Sequence, residues 1–311
     1  MFVKMIKALK DAVAIQDKSS LEPGNQKFAF VHIPKTAGMT MSAILEKKFL
    51  KNEICPIRLY PQLVAVPKEE LKKYRLFRGH FPYEILSCLL DEPFRCITIL
   101  REPVARYYSY YKFMKNRQDF EQFAFLAREV PLIQKMDFKD FANATNLSVV
   151  KDGMNQQCRY LGKETPASIA LPYLAGKQDP TPEEIERAKT RLSNMDAFGL
   201  AERFQDSLFL MSFAFGWEPI MDNLVLNASG KSERSEITED IRAFVEEKNK
   251  ADVELFQFAK DLFETKYQAM ISVLVAEHGK KVGVGLGENI SHENIFKLLQ
   301  HNAIARKKTV A

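Results

Sequence analysis

The run "HIPKTAGMT", His32 to Thr40, places a lysine, two threonines and a glycine between an apolar stretch and residues able to open a helix. Phosphate-like anions are held by inward-turned backbone N–H groups, a small residue where the chain is crowded, a cation, and a helix N-terminus behind them. This stretch can supply all four. Lys35 gives the cation, Gly38 the close approach, Thr36 and Thr40 hydroxyl donors, and a helix from about residue 39 the partial positive end. The order of residues narrows the ligand. A Walker loop, GxxxxGK[ST], opens on glycine and carries its lysine late, with the following hydroxyl on magnesium. Here the lysine comes early, no glycine opens the loop, and no apolar strand ends in an aspartate suited to magnesium. A metal-free donor with less charge than a triphosphate suits this loop better; a purely structural turn is the other reading of PKTAG.

"ITILREPVARYYSYY", 97–111, repeats the pattern of strand, loop and helix. Pro103 suits a first helical position, and Val104, Tyr107, Tyr108 and Tyr111 form an apolar stripe. On the other face Arg106 and Ser109 lie one turn apart, with Arg101 just ahead of the helix. An arginine at a strand end and a serine on the next helix can grip one phosphate through charge-assisted hydrogen bonds. Singly, each is as well explained by a salt bridge or by solvation.

The elements that must carry these groups follow from periodicity. "KFAFVHI" (27–33), "YRLFRGH" (74–80) and "FRCITIL" (94–100) read as short buried strands, each followed by helical spacing, and "DAFGLAERF" (196–204) can supply another. Such alternation predicts an α/β fold, a parallel sheet covered on both faces. After residue 120 the chain turns helix-rich, with helices expected at 121–129, 138–144, 182–194, 203–216, 237–248 and about 251–276. In the last of these Phe256, Ala259, Leu262, Phe263, Tyr267, Met270, Ile271 and Leu274 share one face, a core-packing pattern. The cluster Phe204, Phe209, Phe213, Phe215 and Trp217 also reads as core. Stretches 162–182 and 279–288 read as connections, the glycines of "GVGLG" included. Nothing divides the chain, so a single domain over 1–311 is expected.

Composition sets the outer limits. With 311 residues and 46% hydrophobic content the chain can bury a full core. A net charge of +5, spread from end to end, suits a small anionic ligand better than a nucleic-acid duplex. Cys55, Cys88, Cys96 and Cys158 form no CxxC pair, and the five histidines lack paired ligand spacing, so no metal is expected. The first twenty residues carry an apolar stripe broken by charges, a surface helix too polar for a signal peptide or membrane span.

Taken together and in this order, "HIPKTAGMT" and "REPVARYYS" resemble the nucleotide-dependent sulfotransferases, in particular the branch of carbohydrate and heparan-sulfate 2-O-sulfotransferases and their bacterial relatives. "GHFPY" (79–83), "NQQCRYLG" (155–162), "FGLAERFQDSLFLM" (198–211) and "NKADVELFQFA" (249–259) look like that family's later blocks, so the likeness covers about residues 28–265. It implies a P-loop-NTPase-like fold. It also implies PAPS (3′-phosphoadenosine 5′-phosphosulfate) as co-substrate and PAP, its desulfonated form, as product. By the resemblance, the loop of Lys35, Thr36, Ala37, Gly38, Met39 and Thr40 holds the 5′-phosphosulfate, and Arg101 and Ser109 hold the 3′-phosphate. Lys231, Ser232 and Arg234 sit where relatives close a loop over the nucleotide, and Lys112, Lys115 and Arg117 fall near acceptor-contacting positions; solvated charge explains these six as readily.

In this reading His80 accepts the proton of an acceptor hydroxyl while Lys35 neutralises the leaving phosphate. Two departures stand out. Met39 replaces the family's usual threonine, removing one hydroxyl donor, and Arg78 stands where heparan-sulfate relatives carry a first histidine. The expected acceptor is a saccharide or glycolipid hydroxyl, and the expected setting is the cytoplasm. Two alternatives share the fold: a P-loop kinase, which would need magnesium-binding acids, and a catalytically silent nucleotide-binding protein.

Overall fold

A computed structural model describes residues 26–90, 92–121, 124–163, 179–221, 237–285, 287 and 289–310. Strands β1 (Lys27–Val31), β2 (Leu76–Gly79), β3 (Phe94–Leu100) and β4 (Ala197–Leu200) form one parallel sheet in the order β2-β1-β3-β4. Their sequences are nearly unbroken apolar runs, as strands buried on both faces require. The pleat sends Phe28, Phe30, Ile97 and Ile99 to one face and Ala29, Val31, Cys96 and Leu100 to the other. Ala29 sets the register, lying opposite Phe77 of β2 and Cys96 of β3.

Helix α1 (Gly38–Glu46) follows β1, α2 (Tyr83–Leu90) follows β2, and α3 (Pro103–Lys115) follows β3. The chain then runs through α4 (Ala124–Ile133), α5 (Phe138–Asn143), α6 (Ser148–Gly153), α7 (Gln156–Gly162) and α8 (Pro182–Asn194) to β4. Beyond it lie α9 (Phe204–Phe215), α10 (Glu239–Lys248), α11 (Lys250–Val282) and α12 (His292–Val310). Met41 and Leu45 of α1 with Leu208 and Met211 of α9 cover the first face of the sheet. Leu86 of α2, Leu192 of α8 and Leu255, Phe263 and Met270 of α11 cover the second. A separate cluster packs the tyrosines of α3 against Phe138 and Phe141 of α5.

Local chemistry explains the helix ends. Glu102 caps α3, its carboxylate accepting from the N–H groups of Val104 and Ala105, with Pro103 supplying the preset first turn. Thr181 and Glu184 close a reciprocal capping box on α8. The sequence pattern misses α6, α7 and α12, and it ends α11 too early. That helix runs on to Val282, where Gly283 adopts a φ of 78° that glycine tolerates. α12 lies beyond the stretch that resembles the family, and Ile295, Leu298 and Leu299 bury it on the same core as α11. The expected N-terminal helix lies outside the described residues.

One topological fact positions the site. The chain passes from β1 to β2 on one side and returns past β1 to β3 on the other, so the strand order reverses between β1 and β3. In open α/β sheets ligands bind beyond the carboxyl ends of the strands at such a reversal. Lys35 follows β1, Arg101 follows β3, and His80 follows β2 on the same edge.

Candidate active site

The loop between β1 and α1 is built from alternating backbone signs. Lys35 has φ 71° and Ala37 φ 65°, while Thr36 and Gly38 stay at negative φ. Alternation of this kind turns successive N–H groups into one concavity, the nest that receives an anion. Two L-residues in the left-handed region carry strain, of the order of 1–2 kcal/mol each, in a place where a Walker loop would use glycine. The early lysine is therefore part of the nest itself, and its backbone curves the chain while its side chain supplies charge.

The structure reassigns two residues of this loop. The hydroxyl of Thr36 is buried and donates to the Ile33 carbonyl at 2.9 Å, so it braces the turn and leaves only its N–H for an anion. Gly38 was expected to make room for a ligand. A Cβ there would meet the His32 ring at 1.9 Å, so the glycine makes room for an imidazole beneath the loop. Met39 is 83% exposed, its thioether in solvent and its N–H in the first turn of α1.

His32 stacks on Phe30, with ring centroids 5.4 Å apart, and lies 4.4 Å from the ring of His80. Burial, then the neighbouring His80, Arg58 and Lys35, holds the His32 pKa down to about 3, so its imidazole is neutral. His80 is anchored through Nδ1, 2.8 Å from the His32 carbonyl. A carbonyl only accepts, so Nδ1 carries the proton and Nε2 keeps a lone pair. Burial lowers the pKa of His80, the bond to the His32 carbonyl opposes this, and Lys35 and Arg58 push it down further. The result is a neutral base beside a cation.

Arg101 is held by Gln157 of α7 through two bonds, its N–H donating to Oε1 at 2.8 Å and its carbonyl accepting from Nε2 at 2.9 Å. Its guanidinium donates to the Lys35 carbonyl at 3.3 Å, so the loops after β1 and β3 touch. Ser109 and Lys35 line a single cavity of about 550 Å³ with Lys112, Phe113, Asn116 and Arg117. Arg106 does not join them. Its side chain is fully buried, 3.7 Å from Asp252 of α11 and bonded to Gln156 and the Gly153 carbonyl. Lys115 likewise turns inward, onto the Met136 carbonyl at 2.6 Å. Lys231, Ser232 and Arg234 lie outside the described residues.

A sulfotransferase-domain family profile matches residues 5–150. Human heparan-sulfate 6-O-sulfotransferase 2 (Homo sapiens) is 25% identical over 284 residues, covering 79% of this chain and 46% of that protein. Heparan-sulfate 6-O-sulfotransferase 3-B of Danio rerio is 24% identical over 280 residues, covering 79% of this chain and 65% of its own length. These matches support a PAPS-dependent sulfotransferase family for the chain. A shorter stretch is 35% identical over 99 residues to the protein-tyrosine sulfotransferase of Arabidopsis thaliana, covering 32% of this chain and 19% of that one. The chain thus spans less than two thirds of the two heparan-sulfate relatives, and those relatives carry a 6-O designation where the motifs suggested the 2-O branch.

Sequence reasoning missed three groups in this site. Gln157 lies inside the quoted block "NQQCRYLG" without a role, His32 stands three residues before Lys35, and Phe113 sits one turn beyond Ser109 on α3. Only Phe113 had a readable signal, the i+4 spacing that places it on the face of Ser109. Arg78, the departure from the two-histidine pattern, faces away from chemistry. It donates to Glu46 at 2.8 Å and to the Cys55 carbonyl, tying β2 to α1.

Proposed function

We propose that this chain transfers a sulfuryl group from PAPS to an acceptor hydroxyl by in-line displacement, with His80 as general base and Lys35 stabilising the leaving phosphate. The observation that carries the reading is the juxtaposition, at one sheet edge, of a neutral His80 with Nε2 free and a Lys35 whose backbone helps form an anion nest and whose side chain lines the cavity shared with Ser109. Bound PAPS supplies the activated sulfate. The N–H groups of Lys35, Thr36, Ala37, Gly38, Met39 and Thr40, with the start of α1, would hold its 5′ end, and Arg101 and Ser109 its 3′-phosphate. The cavity shared by Lys35 and Ser109 suits such a ligand, and no carboxylate among the described residues pairs with Lys35. His80 Nε2 takes the proton of the attacking alcohol, and its depressed pKa keeps it ready at neutral pH. Fixed dipoles and one cation, in place before the reaction, stabilise the charge that develops.

A saccharide hydroxyl is the favoured acceptor, because the relatives that align with most of the chain are named for heparan sulfate, whereas the tyrosine-directed relative aligns with a third of it. The cytoplasm is the proposed setting, a reducing compartment where the four free cysteines stay thiols. Among the described residues no helix is long and apolar enough to cross a membrane. The test is His80→Ala: turnover with PAPS falls roughly 10²–10⁴-fold, while PAP affinity, read by calorimetry, stays near that of the unaltered protein. Near-normal turnover would remove His80 from the mechanism.

A further inference from the structure

Lys35 faces an unusual partner. Its Nζ lies 4.6 Å from the centroid of the Phe113 ring, on the helix that also carries Ser109. Phe113 is 43% exposed, so its ring serves no core, and it forms part of the cavity wall beside Lys35 and Ser109. The Arg117 guanidinium carbon stands 5.5 Å from the same ring, and its Nε pairs with Asp119 at 3.0 Å. Asp119, Arg117, Phe113 and Lys35 therefore form a continuous row along the cavity wall.

The groups around Lys35 are mostly hostile to its charge. From the end of β3 comes Arg101, from the ends of β1 and β2 come the neutral imidazoles of His32 and His80, and from α3 and the turn beyond it come Lys112, Arg117 and Asp119. Asp119 is taken up by Arg117. Burial and Arg101 both favour loss of the Lys35 proton. Among the described residues, the close contact of the Lys35 ammonium that favours the charged form is the negative face of the Phe113 ring.

We propose that Phe113 is a positioning residue for Lys35, its ring face holding the ammonium at the cavity wall, charged and aimed at the 5′ cradle, before nucleotide arrives. The role of that ammonium rests on the sulfotransfer reading, whereas the contact with the ring does not. An apolar side chain of similar size fills the same space without the quadrupole, so Phe113→Leu separates electrostatics from packing. Phe113→Trp presents a stronger π-face and should preserve the effect.

The experiment is competitive acylation of Lys35 by acetic anhydride across pH 7 to 11 (roughly the range of lysine ionisation), in nucleotide-free protein, quantified by peptide mass spectrometry. In Phe113→Leu the midpoint of labelling should move to lower pH by about half a unit to one unit. Phe113→Trp should return it to the wild-type midpoint or above. PAP binding measured at the alkaline end of this range should weaken more in the leucine variant than binding at neutral pH. Coincident profiles for wild type and Phe113→Leu, or equal shifts for leucine and tryptophan, would overturn the proposal. A separate arm tests the underlying function: PAP should protect Lys35 of the wild-type protein from acylation. Lack of protection would count against the sulfotransfer reading while leaving the ring effect measurable.

Discussion

Adding a single methyl group at position 38 should disable the loop from below. The Cβ of Gly38→Ala would lie 1.9 Å from Cδ2 and 2.0 Å from Nε2 of His32, against the roughly 3.4 Å at which ordinary contact begins. The ring has little room to retreat, being stacked on Phe30 and packed against His80. Overpacking of this kind costs about 1–3 kcal/mol, and the gain from alanine in a helix, at most ~1 kcal/mol, offsets part of it. The variant should therefore melt a few degrees lower, and it should lose turnover as well, because His80 hangs from the His32 carbonyl. Urea unfolding of wild type, Gly38→Ala, His32→Ala and the double variant gives the decisive quantity. If the clash is the cause, the alanine at 38 becomes nearly harmless once the imidazole is gone, a coupling of about 1–3 kcal/mol. Strict additivity of the two substitutions would show that the glycine is needed for some other reason.

Two further outcomes follow from the same geometry. Arg101→Ala and Ser109→Ala should weaken PAP binding while hardly changing that of 5′-AMP, which lacks the 3′-phosphate; equal losses for both nucleotides in calorimetry would contradict the assignment. The acid limb of kcat/KM should fall below the ordinary histidine pKa of about 6.5, since burial and the flanking cations disfavour protonated His80 and the base stays neutral as pH drops. A limb at or above that value would mean that another group controls the rate.

The motifs and strands were readable because they depend on local pattern. An apolar run ending in a lysine-bearing loop, and proline followed by a tyrosine stripe, fix β1, β3 and α3 with few alternatives. What escaped depends on neighbours distant in the chain. Helical spacing put Arg106 on the polar face with Ser109, yet Asp252 buries it from the far end of the sequence. The need for Gly38 is set by the rotamer of His32, and Thr36 spends its hydroxyl on a carbonyl three residues back. Periodicity reports which face of an element is apolar, and it is silent on which polar group another element will neutralise.

The Arg106–Asp252 contact bears on how this architecture can be divided. A fragment ending at residue 150, where the family profile stops, would keep α3 but lose Gly153, Gln156 and Asp252. It would also lose Gln157, which anchors the backbone of Arg101. A guanidinium stranded in an apolar interior costs several kcal/mol, so the recognisable half is no autonomous module. Grafting the loops after β1 and β3 onto another scaffold would have to bring along the beginning of α11, a segment far downstream in the chain.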